Sequence, residues 1–224
     1  MPDVVPGTIV AMGGLSPDLL RFAISLADAE RPRVAILPTA QADDDWGIVR
    51  MYEMLAGIDA DLAHVRLFGI PEDPRGRIAA ADVVLVCGGN TANMLAVWRV
   101  HGVDEELEAA WRRGAVLGGW SAGANCWFEC SVSDSFGVGL RALDDGVGLL
   151  PGSFCPHFDG EPERRPTYAR LVREGMAPGI ACDDAAAAVY RGTELEEVVS
   201  VADGSTAYRI APGSEEPLEA RLLA

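Results

Sequence analysis

Short apolar runs alternate with helical patterns through the first half of the chain, and this alternation narrows the choice of fold. The predicted strands are residues 8–12, 33–38, 63–68, 83–87 and 115–119, and the predicted helices are residues 19–29, 46–58, 92–100 and 104–113. The run VVLVC at 83–87 is hydrophobic throughout, which is typical of a parallel strand buried on both faces. We therefore predict an α/β fold with a mainly parallel sheet and helices on both faces.

The C-terminal part of the chain has a different pattern. Residues 186–190, 198–202, 207–210 and 218–223 are short β-like segments separated by glycine, proline and acidic turns. We expect them to be antiparallel additions at an edge of the sheet. No linker, repeat or low-complexity tract interrupts the sequence, so we predict one domain over residues 1–224.

Composition excludes several classes of partner. The formal net charge of −16 makes nucleic acid and anionic membranes poor partners. No apolar run approaches the roughly 20 residues that a membrane helix needs. The first seven residues, MPDVVPG, lack the basic and apolar regions of a signal peptide. These features predict a cytoplasmic protein, and they leave a homodimer open.

The five cysteines, at positions 87, 126, 130, 155 and 182, are odd in number and lie in or near apolar segments. This usage favours buried, reduced thiols. Cys126 and Cys130 are four residues apart on a predicted helix, but no paired Cys/His set accompanies them. We therefore expect core packing and no metal site.

The segment GWSAG at residues 119–123 places Ser121 between glycines, after a buried strand and before a helix-like stretch. A sharp turn there lifts the hydroxyl clear of the sheet, and the flanking glycines allow the close approach that the turn needs. The amide of Ala122 would open a helix, where negative charge is stabilised. Ser121 is the candidate nucleophile and Ala122 N–H a candidate oxyanion donor.

A second glycine turn, Gly88-Gly89-Asn90, ends the buried run at 83–87. Ligands gather outside such strand ends in open α/β sheets, so the Gly89 amide is a candidate second oxyanion donor. Taken alone, the segment fits better a plain strand-to-helix turn in which Asn90 caps the helix.

The general base is found by elimination among three histidines. His64 lies in an apolar predicted strand, and His101 precedes Gly102 at a helix C-terminus, where it suits the helix dipole. His157 follows an apolar segment and opens a polar loop, which is the usual place for a functional side chain. We take His157 as the base of Ser121.

A carboxylate should orient the base, and the candidates are Asp134, Asp159, Asp183 and Asp184. The last two close a short predicted strand at residues 180–182. Adjacent residues on a strand point to opposite faces, so only one of this pair can reach His157. That both acids merely solvate a turn is an equally good interpretation.

Four motifs together resemble the peptidase E family, which includes aspartyl dipeptidases and cyanophycinases: GGN at 88–90, GWSAGAN at 119–125, PHF at 156–158 and DD at 183–184. Their order and spacing match the family from the first strand to about Tyr190. The resemblance implies a fold like class I glutamine amidotransferases, a serine nucleophile, a Ser-His-Glu triad and no metal or organic cofactor.

Carried over by position, the resemblance makes Ser121 the nucleophile, His157 the base and Asp184 the acid, with Gly89 and Ala122 as oxyanion donors. Aspartate stands where the family has glutamate. The shorter side chain requires a backbone shift, unless Asp183 takes the role.

The resemblance implies a serine peptidase for short peptides, an exopeptidase or dipeptidase, with Asp-Xaa dipeptides as one substrate class. An aspartyl substrate needs a cation, and Arg164 and Arg165 follow the base. Pairing of both arginines with Glu161 and Glu163 is an equally good interpretation. Asn90 of the GGN motif is also a candidate substrate-binding residue.

Two other functions remain open. An α/β-hydrolase esterase shares the serine turn but places its acid before the histidine, which here would require Asp134 with His157. A non-catalytic, glutamine-amidotransferase-like binding module is the second. In that case Cys87 and Cys126 are the nearest cysteines, and neither occupies the nucleophile position.

Overall fold

The computed structural model describes residues 7–223, which form two β-sheets and seven α-helices. The strands are β1 (Thr8–Met12), β2 (Arg33–Leu37), β3 (Asp61–His64), β4 (Val83–Val86), β5 (Val116–Trp120), β6 (Phe128–Ser133), β7 (Arg141–Leu143), β8 (Leu150–Cys155), β9 (Gly179–Cys182), β10 (Ala186–Arg191), β11 (Glu194–Ser200), β12 (Ala207–Ala211), β13 (Ser214–Pro217) and β14 (Ala220–Leu222). The helices are α1 (Pro17–Ser25), α2 (Asp45–Met54), α3 (Pro74–Ala79), α4 (Thr91–His101), α5 (Val103–Arg112), α6 (Ala122–Asn125) and α7 (Arg164–Arg173), with a 3-10 turn at Thr39–Gln41.

Within residues 7–223, no helix combines the length and the apolar character needed to cross a bilayer. The prediction that no signal peptide is present rests almost entirely on residues 1–6, which lie outside the described residues.

The main sheet has the strand order β14-β11-β10-β1-β5-β4-β2-β3. Strands β1, β5, β4, β2 and β3 are parallel, as the apolar runs predict. Met12 is level with Trp120, and Val86 with Gly119. The carboxyl ends of β1, β4 and β5 therefore meet at one edge of the sheet, where the glycine turns and Ser121 follow.

Helices cover both faces of this sheet, as predicted. Trp98 of α4 and Leu107 of α5 belong to the apolar cluster on one face. Leu20 of α1 and Met51 of α2 belong to the cluster on the other face. All four side chains are almost fully buried, and burying each stabilises the fold by roughly 1.5–3 kcal/mol. Cover on both faces explains why every residue of β1, β4 and β5 is buried.

The C-terminal segments correct the sequence prediction in part. Strands β10 and β11 do extend the main sheet in antiparallel fashion. However, β14 pairs with β11 in parallel, and β12 and β13 belong to a second sheet, ordered β13-β12-β9-β8-β6-β7. Alternation of apolar and polar residues identifies a strand, but it does not specify which neighbour supplies the hydrogen bonds.

Two local predictions were wrong. The strand expected at residues 63–68 is shifted to Asp61–His64. Beyond it, the Asp43 carboxylate accepts hydrogen bonds from Leu67 N at 2.6 Å and Phe68 N at 2.8 Å, which removes these amides from any ladder.

The helix after Ser121 is a single turn, and Cys130 lies on β6, so Cys126 and Cys130 do not share a helix. Each residue finds a different partner. Cys126 Sγ donates to Gly123 O at 3.3 Å, whereas Cys130 lies opposite Ser153 of β8. Pairing with β8 takes the chain out of the helical conformation at this point.

Candidate active site

Ser121 occupies the turn between β5 and α6, with φ 54° and ψ −116°. For a non-glycine residue, this backbone conformation is unfavourable by about 1–3 kcal/mol. Main-chain hydrogen bonds fix the turn: Ser121 N donates to Met12 O at 3.3 Å, and Ser121 O accepts from Ala124 N and Asn125 N at 2.9 Å. This is the strand-to-helix geometry that presents a nucleophilic hydroxyl above a sheet.

The glycines flanking Ser121 are needed because the backbones approach closely. A Cβ on Gly119 would lie 2.3 Å from Gly123 O, and a Cβ on Gly123 would lie 2.2 Å from Val86 O. Helix α6 therefore rests directly on the ends of β4 and β5. The close approach explains the GxSxG spacing.

The second glycine turn lies beside the first. A Cβ on Gly88 would lie 3.2 Å from Ser121 Cβ, and one on Gly89, where φ is 139°, would lie 2.2 Å from Ala40 O. Neither Gly89 N nor Ala122 N has a hydrogen-bond acceptor among residues 7–223. Two amides without acceptors thus flank the serine turn, and their use as oxyanion donors stays a prediction.

Asn90 caps helix α4. Its Oδ1 accepts from Asn93 N at 2.8 Å, and its Nδ2 donates to Ser135 O at 3.0 Å. Asn90 therefore caps the helix, as one of the interpretations from sequence predicted. Its side-chain amide also connects the glycine turn to the loop after β6. A role for Asn90 in substrate binding stays a prediction.

His157 follows β8 of the second sheet and contacts Asp184. The distance from His157 Nδ1 to Asp184 Oδ1 is 2.6 Å. The side chains are 22% and 47% exposed respectively, so the pair borders solvent. Asp184 lies between β9 of the second sheet and β10 of the main sheet, and it therefore connects the two sheets at the site.

Neighbouring residues place the Asp184 side chain. Asp184 N donates to Asp159 Oδ1 at 2.8 Å. A Cβ on Gly14 would lie 2.7 Å from Asp184 Oδ1, and one on Gly160 would lie 2.1 Å from Oδ2. Gly14 and Gly160 were not predicted as site residues. The pair Gly13-Gly14 directly after β1 could have indicated Gly14, but no local sequence signal indicated Gly160.

Asp183 faces away from His157. Its Oδ2 accepts from Thr206 N at 2.9 Å, and its buried Oδ1 has no hydrogen-bond partner among the described residues. Burial raises the pKa of the Asp183 carboxyl, and the nearby Asp159 and Asp184 charges raise it further. Of the two adjacent acids, only Asp184 contacts the histidine.

The other predicted candidates lie elsewhere. His64 Nδ1 is 3.1 Å from Tyr52 Oη, and burial lowers the pKa of this histidine. His101 ends α4. Asp134 makes no side-chain hydrogen bond with His157, and none joins Ser121 Oγ to the His157 ring, within residues 7–223. Catalytic hydrogen bonds are often long before substrate binds.

The two arginines after the base are both engaged. Arg164 is 4% exposed at its side chain; its Nε donates to Glu161 Oε2 at 2.7 Å and its Nη1 to Val132 O at 3.1 Å. Arg165 pairs with Glu215 at 2.6 Å, and its guanidinium carbon lies 4.5 Å from the centre of the Phe158 ring. A substrate carboxylate would have to displace one of these acids.

The five cysteines are buried and unpaired. Burial raises the pKa of Cys87 to about 12 and that of Cys126 well above its usual range. Burial therefore disfavours the thiolate, which is the reactive species, at both of these cysteines.

The family model of peptidase family S51 matches residues 11–198, which include Ser121, His157 and Asp184. The chain belongs to peptidase family S51. It is therefore a peptidase, and the predicted relationship to the peptidase E family is confirmed.

Individual relatives agree with this family assignment. "Uncharacterized peptidase YgaJ" of Bacillus subtilis (strain 168) is 40% identical over 220 residues, covering 94% of this chain and 95% of the relative. Peptidase E of Citrobacter koseri is 38% identical over 107 residues, or 46% of each chain. The solved structure of a peptidase from an acI-B1 Actinobacterium has a TM-score of 0.69 at 16% identity, covering 97% of this chain and 96% of that one. This likeness supports the fold of the S51 chain.

Proposed function

We propose that this S51 peptidase is a serine exopeptidase that hydrolyses short peptides through an acyl-enzyme on Ser121. The observation that carries the proposal is the 2.6 Å contact between His157 Nδ1 and Asp184 Oδ1 at the edge of the sheet that holds the strained Ser121 turn. The order nucleophile, base and acid along the chain is the one expected from the resemblance.

In the proposed reaction, His157 Nε2 accepts the Ser121 hydroxyl proton while Oγ attacks the peptide carbonyl carbon. The resulting tetrahedral intermediate collapses as His157 returns that proton to the leaving amine, and the C–N bond breaks. Water then attacks the acyl-enzyme with His157 as base, which releases the acid product and restores the serine. Asp184 accepts a hydrogen bond from His157 Nδ1–H, which orients the ring and stabilises the imidazolium throughout.

The amides of Gly89 and Ala122 are the proposed oxyanion donors. Both belong to glycine-bordered turns at adjacent strand ends, and neither has another acceptor among the described residues. Donors that are fixed before reaction stabilise the developing negative charge, and losing one typically costs roughly 3–4 kcal/mol in the transition state.

The contacts of His157 favour this function over the alternatives. The esterase arrangement requires Asp134 to orient His157, yet the contact is made by Asp184. A non-catalytic, glutamine-amidotransferase-like binding module would not react at Ser121, so the labelling of Ser121 by a fluorophosphonate tests that alternative. Free, buried cysteines fit the reducing cytoplasm.

Asp-Xaa dipeptides remain the first substrates to test, since the Citrobacter koseri relative is called peptidase E and the sequence resembles aspartyl dipeptidases.

The decisive experiment compares wild type with Ser121→Ala on a dipeptide panel beside a short-chain nitrophenyl ester. We expect peptide cleavage to fall by about 10⁴–10⁶-fold with an unchanged circular dichroism spectrum. A fluorophosphonate probe should label wild type at Ser121. Wild-type turnover by Ser121→Ala would refute the proposal.

A further inference from the structure

A groove of about 400 Å³ opens beside the serine turn on the α1/α2 face of the main sheet. It runs between the loop after β1 and helix α2. Its lining includes Leu15, Gln41, Trp46, Arg50, Met54 and Trp120. The open cleft thus combines apolar side chains with two charged residues, Asp44 and Arg50.

Two residues of the lining, Trp120 and Leu15, are next in sequence to residues of the candidate site. Trp120 immediately precedes Ser121, and its Nε1 would lie 2.6 Å from a Cβ on Gly88, which also faces Ser121. Leu15 follows Gly14, whose Cβ position is 2.7 Å from Asp184 Oδ1. The groove therefore has one wall, Trp120, close to the turn that carries Ser121.

Arg50 supplies a cation without an acid partner. Acidic residues outnumber basic ones 34 to 18, and most arginines have a carboxylate within 4 Å. Arg50 has none among residues 7–223, and its guanidinium forms no hydrogen bond there. In so acidic a chain, an arginine without an acid partner in the lining of this groove is available to an anionic ligand.

The groove also holds one carboxylate, Asp44, which is already engaged. Its Oδ2 accepts from Gly47 N at 2.8 Å and caps α2. Trp46 on the same helix is 81% exposed, although a large aromatic side chain is usually covered. Arg50 and Trp46 thus present a free cation and a free aromatic face on one wall of the groove.

We propose that this groove is a substrate subsite in which Arg50 binds a carboxylate of the peptide while Trp46 and Trp120 contact an apolar side chain. The inference rests on the proposed peptidase function, and it assigns the substrate class as short peptides with a free carboxylate. The carboxylate belongs either to the peptide C-terminus or to an acidic side chain.

The test uses full-length Ser121→Ala protein and isothermal titration calorimetry, so that binding is measured without turnover. The probes are Asp-Leu, Asn-Leu, Asp-Leu amide and Asn-Leu amide. We expect the affinity of the preferred dipeptide to fall about ten-fold when Arg50→Gln is added. Arg50→Lys should fall between the two, because the charge remains but the bidentate fork is lost. Arg173→Gln, an exposed arginine on α7, is the matched control and should bind as the parent does.

The amide and asparagine probes show which carboxylate is bound, since removing the bound one should abolish the effect of Arg50→Gln. The inference would be overturned if Ser121→Ala and Ser121→Ala/Arg50→Gln bound every probe with equal affinity. It would also be overturned if none of the dipeptides bound to the Ser121→Ala protein. Failure of the proposed function has a separate signature: wild type would cleave no peptide and Ser121 would not react with fluorophosphonate.

Discussion

Ser121 and His157 both have a positive backbone φ angle, which is uncommon for residues that carry a side chain. Both have φ 54°, a region that favours glycine. Such strain persists only where the surrounding structure fixes it. Here the bonds of the Ser121 turn to β1 and α6 do so, and on the His157 side Phe158 N donates to Cys182 O at 3.1 Å. At the residue scale, the site combines two residues of positive φ, one of which, His157, contacts Asp184.

Substitutions of the adjacent residues Asp183 and Asp184 should have very different effects on activity. We expect Asp184→Asn to lower kcat by about 10⁴-fold, because an amide cannot hold the imidazole in the same tautomer or stabilise its cation. Asp183→Asn should retain most activity, since Asp183 bonds to Thr206 N instead. Steady-state kinetics on the best dipeptide measures both, and the reverse pattern would move the triad to Asp183.

Asp183→Asn should also change the pH dependence of stability. Burial raises the pKa of Asp183 above its ordinary value of 3.8, so the native state binds more protons than the unfolded state just above that pH. Stability therefore falls as the pH rises through this window. The variant lacks this loss, so its stability relative to wild type should improve as the pH rises above 3.8. Urea unfolding of both proteins at several pH values measures the difference in their stability. A difference that did not change with pH would contradict the raised pKa of Asp183.

At the scale of elements, Arg165 joins the start of α7 to the second sheet. Its guanidinium lies 4.5 Å from the Phe158 ring centre and 4.8 Å from that of Tyr208, and it pairs with Glu215 of β13. Phe158 directly follows the candidate base. The contacts thus fasten the loop that carries His157 to β12 and β13.

We expect Arg165→Ala to lower the free energy of unfolding by about 1–2 kcal/mol, from the loss of two cation–π contacts and one exposed ion pair. Arg165→Lys should lose less, because its charge remains. Urea unfolding gives the stability, and KM for Asp-Xaa against Asn-Xaa dipeptides gives the selectivity. If Arg165 instead binds the substrate, its loss would raise KM for Asp-Xaa alone with little change in stability.

At the scale of the whole molecule, an aromatic cluster connects the two sheets. Phe128 of β6 stacks on Phe154 of β8 at 4.9 Å, and its other neighbour, Tyr190 of β10, lies edge-on at 5.8 Å. All three belong to one buried cluster. Ser121 follows a strand of the main sheet and His157 a strand of the second, so this shared core packs together the two sheets that carry them.

Phe128→Ala should lower the free energy of unfolding by about 3–5 kcal/mol, because it leaves a cavity between the sheets. Phe128→Leu, which keeps most of the volume, should lose much less. A shared core predicts a single unfolding transition by both tryptophan fluorescence and far-ultraviolet circular dichroism. Two transitions, of which only one shifts in Phe128→Ala, would contradict the predicted single domain.

Short-range sequence patterns were enough to predict the buried strands of the main sheet and the turn that carries Ser121. Continuous apolar runs identified β1, β4 and β5, and glycine spacing identified the turn at Ser121, because backbone approach excludes side chains there. Scarcity of histidine singled out His157, which is the histidine that contacts a candidate acid.

Only the tertiary structure decided how these parts meet. Which of Asp183 and Asp184 contacts His157 depends on how β9 and β10 leave one sheet and enter the other, and strand alternation alone leaves both open. The second sheet, the burial of Arg164 and the groove beside Arg50 likewise arise from contacts between distant segments. Periodicity records which face of a strand is buried, but the partner that buries it is fixed only when the whole chain packs.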